Sequence, residues 1–172
     1  EAGFRLNAED PYLLSSYAQL MGLGDYTGLR DIEEAQGNIP TPDNVLQTSG
    51  LPWSYAFAVN LSIGQGEVQV TPLQMVRMYA AVANGGDLMR PQLVYERGVL
   101  DQRTLVAEPD IMRDTEISPE TIKIIHDGMC DVTTARTGTA AHIFRNSPLL
   151  DIGVCAKTGT AQATGDGVPP HS

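Results

Sequence analysis

Residues 62–86 read SIGQGEVQVTPLQMVRMYAAVANGG. The middle of this stretch is a helix start. Thr71 can cap the amide of Gln74, and the Gln74 side chain can reach back to Thr71. Pro72 sits at the first helical position, where no N–H is required. The helix should run to Asn84 and stop at Gly85-Gly86, because glycine adopts the left-handed turn that ends helices. Its residues Leu73, Met75, Val76, Met78, Tyr79, Ala80, Ala81, Val82 and Ala83 are apolar almost all round. Such a helix is expected to be buried, with Tyr79 and the methionines in the core. Gly64-Gln65-Gly66 reads as a loop that positions it, with Gln65 outside any catalytic role.

The rest of the chain is built around that helix. Its 172 residues are one domain's worth and can bury a core. Hydrophobic residues make up 42% and charged residues 19%, a globular balance. Gly at 17 and Pro at 11 exceed average usage and predict long ordered loops. Asp plus Glu number 21 against 11 Lys plus Arg, a net charge of −10. That excludes nucleic acid as a main partner, which needs clustered cations, and excludes an electrostatic hold on an anionic membrane surface. No apolar run reaches the length of a membrane span, and no signal-peptide pattern opens the chain. The opening on Glu1 and the loop-like ending GVPPHS read as those of a fragment.

Residues Pro11 to Met21 have helical apolar spacing. Gly24 to Asn44 reads as a long loop, stiffened by Pro40 and Pro42, with Asp31 to Glu34 a solvated acidic stretch. Trp53 to Val59 suggests a helical turn. Gln92 to Glu96 and Thr104 to Ala107 suggest short strands. Ser118-Pro119-Glu120 opens a second capped helix, with Ile122, Ile125, Met129 and Val132 on one face. Leu149 to Ala156 reads as a buried strand running on into KTGTAQ. Cys130 and Cys155 are too few for a disulfide scaffold and lack metal spacing, so buried free thiols are expected, with one disulfide the alternative. His126 on a helix and His142 in a loop read as bystanders. No His/Cys/Asp cluster points to a metal, and no cofactor is implied.

Lys157-Thr158-Gly159 is the main chemical lead. A Lys-Thr-Gly strand is one of three elements of serine acyl-transferases that attack β-lactams and D-alanyl peptides. The lysine sets a positive potential beside a nucleophilic serine. Threonine hydroxyls can bind a carboxylate. Glycine lets another backbone lie close, and an N–H beyond it can enter an oxyanion hole. Three residues alone are weak: Arg136-Thr137-Gly138-Thr139-Ala140 nearly repeats Lys157-Thr158-Gly159-Thr160-Ala161. The second copy follows the strand-like DIGVCA and takes the chemistry; the first, after a helix end, is read as loop. A phosphate-binding reading of GVCAKTGT fails on Ala156, where that motif requires Gly.

Together with SIGQGEVQVTPLQMVRMYAAVANGG, three further blocks in the same order carry a resemblance: MGLGDYTGLRDIEEAQGNIPTPDN, GMCDVTTARTGTA and IGVCAKTGTAQ. Over residues 11 to 172 the sequence strongly resembles the class B penicillin-binding proteins, the peptidoglycan D,D-transpeptidases of elongation and division. The resemblance implies an α/β (α+β) fold, a portion of the penicillin-recognising fold with helices packed on an antiparallel sheet and the motif strand along the cleft. It implies that residues 1–172 are the C-terminal portion of one transpeptidase domain, truncated at both ends. It implies that Lys157 assists proton transfer and attracts the substrate carboxylate. Thr158 and Thr160 would bind that carboxylate, the Thr160 N–H would complete the oxyanion hole, and the peptide would lie along the strand past Gly159. Ala156 departs from the family, which often has Gly there.

The family's nucleophile lies in Ser-x-x-Lys, supported by Ser-x-Asn. No serine here fits either pattern. The resemblance therefore implies an enzyme whose nucleophile is upstream, and a 172-residue piece that is inactive alone. It implies stem peptides and β-lactams as ligands, the rest of the transpeptidase domain and a cell-wall synthesis complex as partners, and the extracytoplasmic face of the bacterial cytoplasmic membrane as location, with the anchor outside this chain. His171 matches a histidine near the family's site mouth, in a structural role. Two rivals keep the fold: a catalytically dead homologue used as a binding or scaffolding module, and a β-lactam sensor or β-lactamase.

Overall fold

The computed structural model describes residues 1–30, 32–99 and 102–159. The chain divides into two compact units, Glu1–Thr115 and Glu116–Ser172.

The first unit holds α1 (Ala2–Glu9), α2 (Leu13–Leu20), α3 (Pro42–Ser49), α4 (Tyr55–Ser62) and α5 (Pro72–Asn84). Its strands are β1 (Asp87–Met89), β2 (Glu96–Val99), β3 (Gln102–Leu105) and β4 (Ile111–Asp114). β1 pairs antiparallel with β4, with Leu88 opposite Arg113, and β2 pairs antiparallel with β3, with Glu96 opposite Leu105. Among the described residues the apolar core of this unit is Ile39, Val45, Ala58, Ala81, Val82 and Leu88. α1 and α4 approach closely at Gly3, where a Cβ would lie 2.7 Å from the Ser62 hydroxyl. Trp53 Nε1 donates to Asn7 Oδ1 at 2.6 Å and ties the entry of α4 to α1.

α5 begins as its sequence predicts. Thr71 Oγ1 accepts from the Gln74 amide and Gln74 Oε1 accepts from the Thr71 amide, both at 3.2 Å. Gly85 ends it with φ 98°. Burial of its whole circumference is overturned: Val76 is 64% exposed, and the buried positions are Gln74, Arg77, Ala81 and Val82. The reason is the glycine-rich loop alongside, whose backbone polar groups need partners when water is excluded. The Gln74 side-chain amide donates to the carbonyls of Asp25 (2.6 Å) and Gln36 (2.9 Å). Its oxygen also receives the Gly24 amide at 3.4 Å.

That loop has a second staple at Glu34, which corrects its reading as a solvated acid. Its carboxylate accepts the Thr27 amide at 2.8 Å and the Thr27 hydroxyl, and Thr27 is 1% exposed. Desolvation pushes the Glu34 carboxyl up. Hydrogen bonds from the Thr27 hydroxyl and from the Thr27, Gly28 and Leu29 amides outweigh it and hold the pKa below its ordinary 4.5. A carboxyl lowered in the folded state adds stability that is complete above its unfolded value and fades as the pH falls through the native one. Glu34→Gln is therefore expected to lower the urea midpoint at pH 7 and to flatten its decline below about pH 4.5. An unchanged acid limb would show that Glu34 does not hold the loop.

The sequence reading missed α3. Pro42 does not extend the loop; it occupies the first turn of a helix. Thr41 accepts from the Asn44 amide at 3.2 Å while the Asn44 side chain accepts from the Thr41 amide at 2.7 Å. This is the device of α5 with Asn in place of Gln. The helix at Pro11 to Met21 and the turn at Trp53 to Val59 correspond to α2 and α4. The predicted strands move: β2 starts at Glu96, and β3 ends at Leu105. Both are exposed on every residue, so no apolar alternation marks them.

The second unit holds α6 (Pro119–Thr134), α7 (Ala141–Phe144) and α8 (Leu149–Ile152). Ser118 Oγ caps α6 by accepting from the Thr121 amide at 3.2 Å. Of its predicted face, Ile122 is buried and Ile125 is 39% exposed. His142 lies in α7 rather than in a loop. The strand predicted over Leu149 to Ala156 is not formed. Leu149–Ile152 is helical, Gly153 turns with φ 76°, and residues 154–159 carry no ladder pairing. Their backbone is bonded to a helix instead: Thr133 Oγ1 donates to the Val154 carbonyl at 2.6 Å, and the Ala156 amide donates to the Met129 carbonyl at 2.9 Å. Among the described residues no helix is long and apolar enough to cross a membrane.

Candidate functional site

The C-terminal end of α6 decides where the Lys-Thr-Gly segment lies. It offers the Met129 carbonyl and the Thr133 hydroxyl, and these hold the backbone on either side of Cys155. The two cysteines are joined in a disulfide across 25 residues, with a Cα–Cα distance of 3.9 Å. This overturns the expectation of buried free thiols. Both are only half-buried. Sequence spacing could not pair them, because the loop 135–140 and two short helices must first bring residue 155 back to residue 130. His126 lies beside this disulfide. One turn before Cys130, its ring nitrogens lie 3.8 to 3.9 Å from the Cys130 sulfur, and its Nε2 lies 3.9 Å from that of Cys155. Among the described residues His126, Cys130 and Cys155 are the one gathering of metal-type ligands, and the two sulfurs are bonded to each other.

Past the disulfide, Lys157, Thr158 and Gly159 are exposed. The Lys157 ammonium donates to the Thr158 carbonyl at 2.5 Å. The Thr158 hydroxyl is 3.1 Å from the Thr139 hydroxyl. The two near-repeats therefore meet, and the accessible segment carries a cation and a pair of hydroxyls, residue types suited to a carboxylate. Thr160, the fourth sequence-predicted site residue, lies outside the described residues, as does His171. The first copy is loop, as read from its context.

The two glycines of the copies differ. A Cβ at Gly138 would lie 2.3 Å from the Asp131 carbonyl oxygen and 2.5 Å from that of Val132, the last turn of α6. Among the described residues, a Cβ at Gly159 would meet nothing within 4 Å. Gly138 thus packs the loop against the helix, while Gly159 has no such packing among the described residues. In the first unit, a groove of about 770 Å³ lined in part by Arg30, Arg90, Leu93, Val94, Arg97 and Asp110 contains none of the sequence-predicted site residues. Two of its cations are already paired, Arg90 with Asp110 at 2.6 Å and Arg30 with Asp110 at 3.8 Å.

Comparison with known proteins agrees with the resemblance read from the sequence. The family model for the penicillin binding protein transpeptidase domain matches residues 5–171. The chain is 30% identical over 152 residues to the peptidoglycan D,D-transpeptidase MrdA of Escherichia coli K12, covering 88% of this chain and 24% of that protein. It thus spans about a quarter of the length of that relative. Among solved structures it is similar to the penicillin-binding protein PBP2 of Helicobacter pylori in complex with MreC, with TM-score 0.76 and 25% identity, over 94% of this chain and 28% of that one. It is similar also to PBP2 of Pseudomonas aeruginosa in complex with WCK 5153, with TM-score 0.66 and 29% identity, over 78% of this chain and 30% of that one. The helices and antiparallel strands seen here are those of a partial penicillin-recognising fold, and the chain belongs to the penicillin-binding protein transpeptidase family.

Proposed function

We propose that the protein carrying this chain is a peptidoglycan D,D-transpeptidase that cross-links cell-wall stem peptides by serine acyl transfer and is acylated by β-lactams. The observation that carries this reading is the exposed Lys157-Thr158-Gly159 segment within a match to the transpeptidase domain over residues 5–171. Residues 1–172 form the C-terminal portion of that domain. The nucleophilic serine and its lysine belong to the remainder, since Ser-x-x-Lys and Ser-x-Asn do not occur in these residues. Lys157 assists proton transfer and draws in the substrate carboxylate. Thr158 and Thr160 bind that carboxylate. The Thr160 N–H contributes to the oxyanion hole, and the substrate backbone runs past Gly159.

The reaction places the protein at the extracytoplasmic face of the cytoplasmic membrane, where a disulfide persists. The Helicobacter pylori relative complexed with MreC, and a structural relative from a peptidoglycan synthase complex, support membership of a cell-wall synthesis assembly. The test is acylation by a penicillin, read as intact mass. The full-length protein is expected to gain one covalent adduct, and the 172-residue chain none. Lys157→Ala in the full-length protein is expected to slow adduct formation by about 100-fold or more, the usual size of a lost proton-transfer group. A folded full-length protein that takes up no penicillin would leave a catalytically dead homologue, a binding or scaffolding module.

A further inference from the structure

We propose that the Cys130–Cys155 disulfide is a redox-responsive tether that positions the Lys157–Thr158 segment for acyl transfer. The inference rests on the transpeptidase reading for its consequence, but not for its geometry. Among the described residues, no strand holds the backbone of residues 154–159. The segment is tied by the Val154 carbonyl to Thr133, the Ala156 amide to Met129, and the Thr158 hydroxyl to Thr139. The one covalent tie is at Cys155, two residues before Lys157. Every one of these ties leads to α6 or to the loop that follows it. Single hydrogen bonds to an exposed segment exchange with water, whereas the disulfide keeps their donors and acceptors in reach.

The same surroundings make the bond addressable. Both cysteines are half-buried, so an external dithiol can reach them. His126 lies within 3.9 Å of both sulfurs, so a ring N–H can donate to whichever thiolate leaves. A thiolate of the dithiol attacks one cystine sulfur. The S–S bond breaks, a mixed disulfide forms, and the other cysteine leaves as thiolate. The second thiol of the reductant then displaces the first cysteine and closes the reductant's own disulfide. Two electrons pass from the dithiol to the cystine, and its two protons end on Cys130 and Cys155.

Two measurements test this. In the 172-residue chain, hydrogen exchange is followed before and after reduction with dithiothreitol. The Ala156 amide is expected to exchange at least about ten times faster once reduced. The Ala140 amide, bonded to the Val132 carbonyl at 3.0 Å in the same unit, is expected to change less than about twofold. Equal acceleration of both would mean general loosening and would overturn the tether, as would no change at Ala156. In the full-length protein, reduced and then freed of dithiol, penicillin acylation is expected to slow about tenfold and to recover on reoxidation with oxidised glutathione. The double variant Cys130→Ser/Cys155→Ser is expected to be slow in both states. Acylation that is normal when reduced overturns the proposal and spares the transpeptidase reading. No acylation even when oxidised removes that reading, and the exchange data alone then decide the tether.

Discussion

Gln74→Leu is expected to destabilise the chain by about 3–5 kcal/mol, more than any exposed substitution on the same helix. Gln74 is fully buried, and its side chain serves the Asp25 and Gln36 carbonyls and the Thr71 and Gly24 amides. Leucine fills nearly the same volume, so a cavity is not the cause. The cost is backbone polar groups left without partners, about 1–3 kcal/mol for each that water does not reach, plus about 1 kcal/mol for half of a capping box. Urea unfolding measures the total, and limited proteolysis should show new cleavage in the glycine-rich stretch 24–30. Val76→Gln, on the exposed side of α5, is the control and should stay within about 0.5 kcal/mol of the unsubstituted chain. Equal stability of the two variants would mean that the loop stands without the Gln74 network.

The second large effect separates two glycines that local sequence makes equivalent. Gly138→Ala is expected to cost about 2–3 kcal/mol, because its Cβ would press on two backbone carbonyls of α6 that cannot swing aside. Helix loss in the second unit on mild heating, followed by circular dichroism, reads this. Gly159→Ala, whose Cβ would meet no described residue within 4 Å, should leave that melt unchanged. In the full-length protein, however, it should slow penicillin acylation, since the added methyl stands where the substrate backbone is proposed to lie. A Gly138→Ala chain as stable as the original would remove Gly138 as the packing point of the loop. A Gly159→Ala protein acylated at the normal rate would remove substrate from that face.

Both effects show where sequence reading stops. Thr71-Pro72-Leu73-Gln74 reveals its helix because a capping box involves residues three apart, and the chain carries all the information. Lys157-Thr158-Gly159 stands out in the sequence because the proposed chemistry requires those residue types together. The helix at Pro42 uses the same capping logic and escaped only because Asn44 replaced the expected Glu or Gln. The strands β2 and β3 escaped because exposed residues have no burial pattern to display.

Local sequence by itself determined the helix starts at Thr71 and Ser118, the loop character of the first Thr-Gly-Thr-Ala copy, and membership of the transpeptidase family. Only the tertiary structure decided what the buried polar face of α5 is for, that Glu34 staples the loop at Thr27, that Cys130 is bonded to Cys155, and that Gly138 is the glycine packed against α6. The physical reason is range. Caps and turns are set by neighbours within four residues, whereas Gln74 meets a carbonyl 49 residues away and the two cysteines are 25 apart, and such partners become known only when the chain has closed on itself.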